Sequence, residues 1–220
     1  MQEITAELIN DTIAFIKQKM NGEQTGHDWY HIERVWKMSK KIQKTEGGDL
    51  PLIELAALLH DLGDYKFYGN NEKKGSLALK GMMDIIGIDE ELQNTIAKII
   101  DSSQFIGDAT KKPETLEGQI LQDADFLDSL GALGIARVFA TGGAIRRVIH
   151  DPEIPVRQKI SKFDYFYKKI NGTSRNYFTE KILKLPKLLN TKTAKVIAEK
   201  RIKFVVEFLA EFDLEWNLVK

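Results

Sequence analysis

Apolar residues recur along this chain at spacings of three and four, and no segment keeps the two-residue alternation of a half-buried strand. Ile4, Leu8, Ile9, Ile13, Ile16 and Met20 form a one-sided stripe that predicts a helix over about 4–20, stopped by Asn21-Gly22. Ile32, Val35, Trp36, Met38 and Ile42 predict a second over about 28–45, ended by Gly47-Gly48. Pro51 suits the first turn of a third, which runs to His60 and is broken by Gly63. A polar loop with Gly69-Asn70-Asn71 follows, then helices over about 75–86 and about 89–101. Beyond an irregular stretch, one long helix is expected from Pro113 to Thr141-Gly142-Gly143. After a loop with His150-Asp151-Pro152 and Pro155, three more helices are expected over about 157–170, 174–185 and 191–215. The pattern predicts an all-α fold: one compact domain over 1–220, with a core over about 20–140 and a C-terminal helical extension over about 156–218.

Composition narrows the function classes. At 43% hydrophobic residues the chain can bury a substantial core. Lys+Arg and Asp+Glu each number 32, a balance that argues against a dedicated nucleic-acid binder. The basic residues at 146–147, 168–169 and 195–203 read as solvated helix faces. Without cysteine there is no disulfide, thiolate metal site or cysteine nucleophile. The polar, acidic start Met1-Gln2-Glu3 lacks the features of a signal peptide, and no apolar run approaches the ~18 residues of a membrane span. A cytoplasmic protein without a membrane partner is expected, as a monomer or a homodimer; the apolar C-terminal helix (Phe204, Val205, Phe208, Leu209, Phe212, Trp216) more naturally closes the core.

Chemistry concentrates where apolar helix faces carry metal-binding side chains. His60-Asp61 ends the run Leu58-Leu59. His31 shares a face with Val35, Met38 and Ile42, and Asp125 lies on a face with Leu121 and Asp128. Singly, each has a plainer explanation: a hydrogen-bonded core histidine, a histidine at a helix C-terminus, a solvated acidic face. Together they are two histidines and two carboxylates from three inward-facing helices. Buried charges must be paired or bound to metal, and one divalent cation accounts for all four.

In order, His27-Asp28-Trp29-Tyr30-His31, Leu58-Leu59-His60-Asp61-Leu62-Gly63-Asp64 and Gln122-Asp123-Ala124-Asp125-Phe126-Leu127-Asp128 resemble the motifs of the HD superfamily of metal-dependent phosphohydrolases. The nearer likeness is to its bacterial stand-alone nucleotide pyrophosphohydrolases, and it covers nearly the whole chain. The resemblance implies a helical HD-domain-like bundle holding one divalent metal on His31, His60, Asp61 and Asp125. Helix geometry favours Asp125 as well, since Asp123 is turned away by about 200°. The metal expected is manganese or magnesium, with iron, cobalt, nickel and zinc as alternatives. The substrate expected is a small-molecule nucleotide, a (deoxy)nucleoside triphosphate cleaved to monophosphate and pyrophosphate. A phosphomonoesterase, a phosphodiesterase or a non-catalytic metal- and nucleotide-binding module are the alternatives. Two positions depart from the pattern: Phe126 fills a slot where relatives often have Arg, and Asp101 stands where they often have His.

Catalysis by such a centre also calls for a proton acceptor and for cations on the phosphoryl oxygens. Asp64 and Asp128 are the candidates for the first task, and His27 is a candidate proton donor or phosphate contact. Arg34, Lys66 and Arg137 are the candidates for the second. Each has an alternative as a turn residue, helix cap or surface charge. Tyr65, Phe67 and Tyr68 are placed to stack on a base, or to serve as core or lid residues.

Overall fold

The computed structural model describes residues 2–23, 25–64, 68–69, 71–167 and 172–219. Among them there are helices and no strand. The helices are α1 (Ala6–Lys19), α2 (Trp29–Glu46), α3 (Leu50–Leu59), α4 (Glu72–Ile86), α5 (Glu90–Ser103), α6 (Leu116–Asp128), α7 (Gly131–Ala144), α8 (Lys162–Tyr167), α9 (Ser174–Glu180) and α10 (Lys192–Trp216). The first seven carry most of the compact bundle, and α8 to α10 are the additional C-terminal helices.

Their starts follow capping chemistry. Thr5, Asp49, Asn71, Asp89, Thr115, Thr173 and Thr191 each accept from the backbone amide three residues on. Asp28 does so for α2, accepting from the His31 amide at 2.9 Å. The helix-capping role considered for His27 thus belongs to its neighbour.

The core is built around α3. Ile53, Leu55, Ala56, Ala57, Leu58 and Leu59 have no exposed surface, because α1, α2, α5 and α6 surround this helix. The close pairing of α2 with both α3 and α6 sets the inner faces of three helices against one another.

Three elements differ from the sequence expectation. The long helix from Pro113 begins at Leu116 and is split between Asp128 and Gly131. Gly131 has φ 73°, a left-handed value that L side chains rarely adopt. At this break the Arg201 guanidinium donates to the Leu127 carbonyl at 2.7 Å, satisfying an end group of α6. Of the helix expected over 157–170, only Lys162–Tyr167 is helical among the described residues. The helix expected over 174–185 ends at Glu180 and continues as 3₁₀ turns from Ile182 to Leu188, which contain Pro186.

The first turn of α10 is clasped to two core helices. Asp123 on α6 is fully buried and accepts from the Asn190 and Thr191 amides, the Asn190 side chain and the Thr191 hydroxyl, all at 2.7–2.9 Å. Glu46 at the end of α2 accepts from the amide and hydroxyl of Thr193, both at 2.7 Å. Val205 and Leu209 of α10 are buried in the core, whereas Phe204 and Trp216 are exposed.

Candidate metal centre and active-site cleft

His31 lies on α2, His60 closes α3 with Asp61 directly after it, and Asp125 and Asp128 lie on α6. Two hydrogen bonds fix the tautomers of the histidines. The His60 Nδ1 is 2.7 Å from the Ala57 carbonyl, which can only accept, so the proton sits on Nδ1. The His31 Nδ1 is 2.7 Å from Asp128 Oδ2 and donates to it. When both rings are neutral each Nε2 is a bare lone pair, and the two face each other at 3.3 Å. Two acceptors this close repel unless a proton or a cation lies between them.

The carboxylates complete the set. Asp61 Oδ2 is 3.3 Å and Asp125 Oδ1 3.6 Å from the His31 Nε2. Donor atoms of His31, His60 and Asp125 all lie within 4.8 Å of one another, as do those of His27, His31 and Asp61. The two clusters share His31, and their mixed imidazole and carboxylate donors fit a single divalent metal ion.

Around the donors runs a charged network. Asp128 is almost fully buried. Arg34 grips it with two bonds, Nε to Oδ1 at 2.7 Å and Nη2 to Oδ2 at 3.0 Å. Arg137 Nη1 approaches Oδ2 at 3.1 Å. Burial alone would raise the Asp128 carboxyl, but its hydrogen bonds to His31 and Arg34 prevail and hold it well below the usual carboxylate range. Burial and the Arg137 charge work against protonated His31, yet its bonds to Asp128 and Asp61 outweigh them and hold it above the usual histidine range.

The remaining expected site residues fall as follows. His27 Nδ1 is 2.8 Å from Asp61 Oδ2 and 3.4 Å from Arg137 Nη2, so it can donate to the first or accept from the second but not both. Arg137 also donates from Nε to the Gly26 carbonyl at 2.7 Å, tying α7 to the loop before α2. Arg34, expected as a phosphate contact, has its planar fork matched to the Asp128 carboxylate and is not among the residues that line the cleft. Asp128, expected as a proton acceptor, has both its oxygens engaged by cations and an imidazole. Lys66, Tyr65 and Phe67 lie outside the described residues. The Tyr68 hydroxyl donates to the Leu62 carbonyl at 3.0 Å. Asp101 joins neither donor cluster among the described residues; it lines a neighbouring cleft with His60, Glu72 and Lys162, where burial and then the Glu72 charge raise its carboxyl.

The centre opens into a cleft that reaches solvent. His27, His60, Asp61, Asp64, Asp125 and Arg137 line it from the core helices and their loops. Arg147, Tyr165, Tyr177 and Lys181 line it from the C-terminal segments, and none of these four stood out as a site residue in the sequence. Arg147, expected on a solvated face, is only 6% exposed. Its burial comes from packing on Tyr177, thirty positions along the chain, which no local pattern announces. No helix of the described residues is long and apolar enough to cross a membrane.

Comparison with known proteins places this site in a family. The HD-domain family profile matches residues 28–130. YpgQ of Bacillus subtilis is 30% identical over 201 residues, 90% of this chain and 89% of YpgQ. The crystal structure of YpgQ in complex with ADP superposes with a TM-score of 0.71 at 27% identity, over 97% of each chain. An HD-superfamily hydrolase of Bacillus thuringiensis is 39% identical over 96% of this chain and 97% of its own, with a TM-score of 0.67. A crystal structure from Lactobacillus plantarum reaches a TM-score of 0.88 at 34% identity, over 98% of this chain and 100% of that one. With its His31, His60-Asp61 and Asp125 gathered on three helices of an all-α bundle, this chain belongs to the HD superfamily of metal-dependent phosphohydrolases.

Proposed function

We propose that this enzyme hydrolyses (deoxy)nucleoside triphosphates to monophosphate and pyrophosphate with one divalent cation, manganese or magnesium. The observation that carries the reading is the facing Nε2 pair of His31 and His60, flanked by two carboxylates, on the wall of a solvent-open cleft. Bacillus subtilis YpgQ was solved in complex with ADP, which supports a nucleotide as the ligand here.

His31, His60, Asp61 and Asp125 would hold the cation. When bound, a divalent ion withdraws charge from a phosphoryl oxygen and makes water more acidic. The chain's own groups do the rest. Asp64 lines the cleft just after the metal pair and takes the proton of the attacking water. His27, held by Asp61, is the proton donor or phosphate contact on the same side. Arg137 presents a fixed guanidinium to the charge that develops on the phosphoryl oxygens. Lys66 is a further phosphate contact proposed from its place in the sequence, five residues after Asp61.

Asp128 acts through His31. By accepting the Nδ1 proton it keeps Nε2 aimed at the donor cluster, and Arg34 and Arg137 hold the carboxylate still. Asp128→Asn is expected to weaken metal binding about 10- to 100-fold, as loss of such an outer partner does elsewhere. Calorimetric titration of metal-free protein with manganese measures this. An affinity within threefold of wild type would remove Asp128 from that role.

The reaction itself is tested with metal-free protein re-supplied with manganese or magnesium. Phosphate release from nucleoside triphosphates is expected only when inorganic pyrophosphatase is added. Release without it would replace pyrophosphohydrolase by phosphatase chemistry.

A further inference from the structure

We infer that Arg147 and Lys181 form an anion-binding wall of the cleft that holds the polyphosphate tail of the substrate, the phosphoryl groups beyond the one at the metal centre. This inference rests on the nucleotide triphosphate reading above and names the part of the chain that recognises the tail.

Among the described residues neither side chain pairs with a carboxylate. The Arg147 guanidinium is buried, and its Nε has no hydrogen-bond partner. Its one polar contact among the described residues runs from Nη2 to the Val138 carbonyl at 3.5 Å, the limit for such a bond. The guanidinium lies over the Tyr177 ring at 4.6 Å. Glu180, whose charge reaches Arg147, is itself committed to Arg157, which donates to it from Nε and from the backbone at 3.0 Å. Lys181 is half-buried, with its ammonium 4.8 Å from the centre of the Phe105 ring, 5.5 Å from that of Tyr165 and 5.8 Å from that of Tyr177. The Tyr165 hydroxyl is its single hydrogen-bond partner among the described residues, at 3.2 Å.

The contrast with other cations is chemical. Arg34 and Arg137 pair with Asp128, Arg157 with Glu180, and Arg175 with Asp213. A buried guanidinium with a bare donor is costly in a folded protein unless an anion meets it. Arg147 and Lys181 line the same cleft as the metal donors, which leaves that anion room to bind. Aromatic walls lower the local dielectric, so each charge acts more strongly there than in water.

Arg147 is also held in place. Its amide donates to the Gly142 carbonyl at 2.8 Å at the end of α7, through Arg146 in the left-handed region at φ 58°. The next residues are tied to the start of α9, with the Ser174 amide on the Val148 carbonyl and the Arg175 amide on that of Ile149, both at 2.9 Å. A side chain at Gly142 would put its Cβ 2.3 Å from the Ser174 hydroxyl, so the close contact of α7 with α9 requires glycine there. The wall is thus formed before the ligand arrives, which spares the ordering cost on binding.

The test uses full-length protein in magnesium with two variants, Arg147→Met, which keeps the length and removes the charge, and Lys181→Ala at a half-exposed site. Inorganic tripolyphosphate is titrated calorimetrically into each. Specificity is measured as the ratio of kcat/KM for a deoxynucleoside triphosphate to that for bis(p-nitrophenyl) phosphate, a diester without a tail. Each variant is expected to bind tripolyphosphate at least tenfold more weakly and to lower the specificity ratio at least tenfold. Binding and ratio within threefold of wild type in both variants would overturn the inference, as would equal losses on both substrates. Should wild type hydrolyse no nucleotide yet lose tripolyphosphate binding in both variants, the proposed reaction fails and the anion wall stands.

Discussion

Asp61→Ala is expected to lower kcat on a nucleoside triphosphate by about 10³-fold or more while leaving the far-ultraviolet circular dichroism spectrum unchanged. The carboxylate touches both His27 and His31, so its loss removes an oxygen donor and the hydrogen bond to the His27 ring at once. His60→Ala is expected to do the same, because it deletes one of the two facing Nε2 atoms. The spectrum is preserved because these residues follow α3 and its apolar face is untouched. Steady-state rates with saturating manganese, alongside bound-metal content, check this. Activity within tenfold of wild type in either variant would take the chemistry away from this centre.

The largest effect on stability is expected from Asp123→Ala. Four donors converge on this fully buried carboxylate, and alanine would leave the Asn190 and Thr191 amides and the Thr191 hydroxyl without partners, while the Asn190 side chain keeps Gln122. Orphaned buried groups cost about 1–3 kcal/mol each, and neighbours do not add fully, so a loss of about 3–5 kcal/mol is expected. For a chain of this size that corresponds to a fall in Tm of about 10 °C. Asp123→Asn, which retains one carbonyl acceptor, is expected to fall by less. A thermal melt of the metal-free proteins reads both, and a fall under about 3 °C in the alanine variant would show that α10 is anchored elsewhere.

The residues most legible in the sequence are those whose partners lie on the same helix face. His31 with Val35 and Ile42, and His60 with Ile53 and Ala56, could be placed inward from spacing alone, and the structure brings their rings together. The all-α class and α10 followed from the same periodicity. What escaped depends on segments far apart in the chain. Arg146 and Arg147 are neighbours with identical side chains, yet one is exposed and the other buried, because the chain turns left-handed between α7 and α9. Asp123 and Asp125 are two positions apart and serve opposite sides of α6, one clasping α10 and the other facing the histidines. The break at Gly131 was hidden by an apolar spacing that continues through it, with Leu127 and Leu130 before and Ile135 and Val138 after, all buried. The stretch 157–161 carries no helix, and its backbone is held by the Asp108 carboxylate on the Ile160 amide at 2.8 Å and by Glu180 on Arg157.

The His31–Asp128 bond spans 97 positions of the chain. Contacts of such range carry a large loop-closure entropy and form late in folding. A cation held jointly by α2, α3 and α6 therefore has little to bind in the folding transition state and much to bind in the native state. Interactions absent from the transition state act on the unfolding rate. Manganese is expected to leave the refolding arm of the denaturant chevron nearly unmoved and to lower the unfolding arm, so that the catalytic ion doubles as a kinetic lock on the bundle. A refolding rate that rose in proportion to metal concentration would instead place the centre in the folding nucleus.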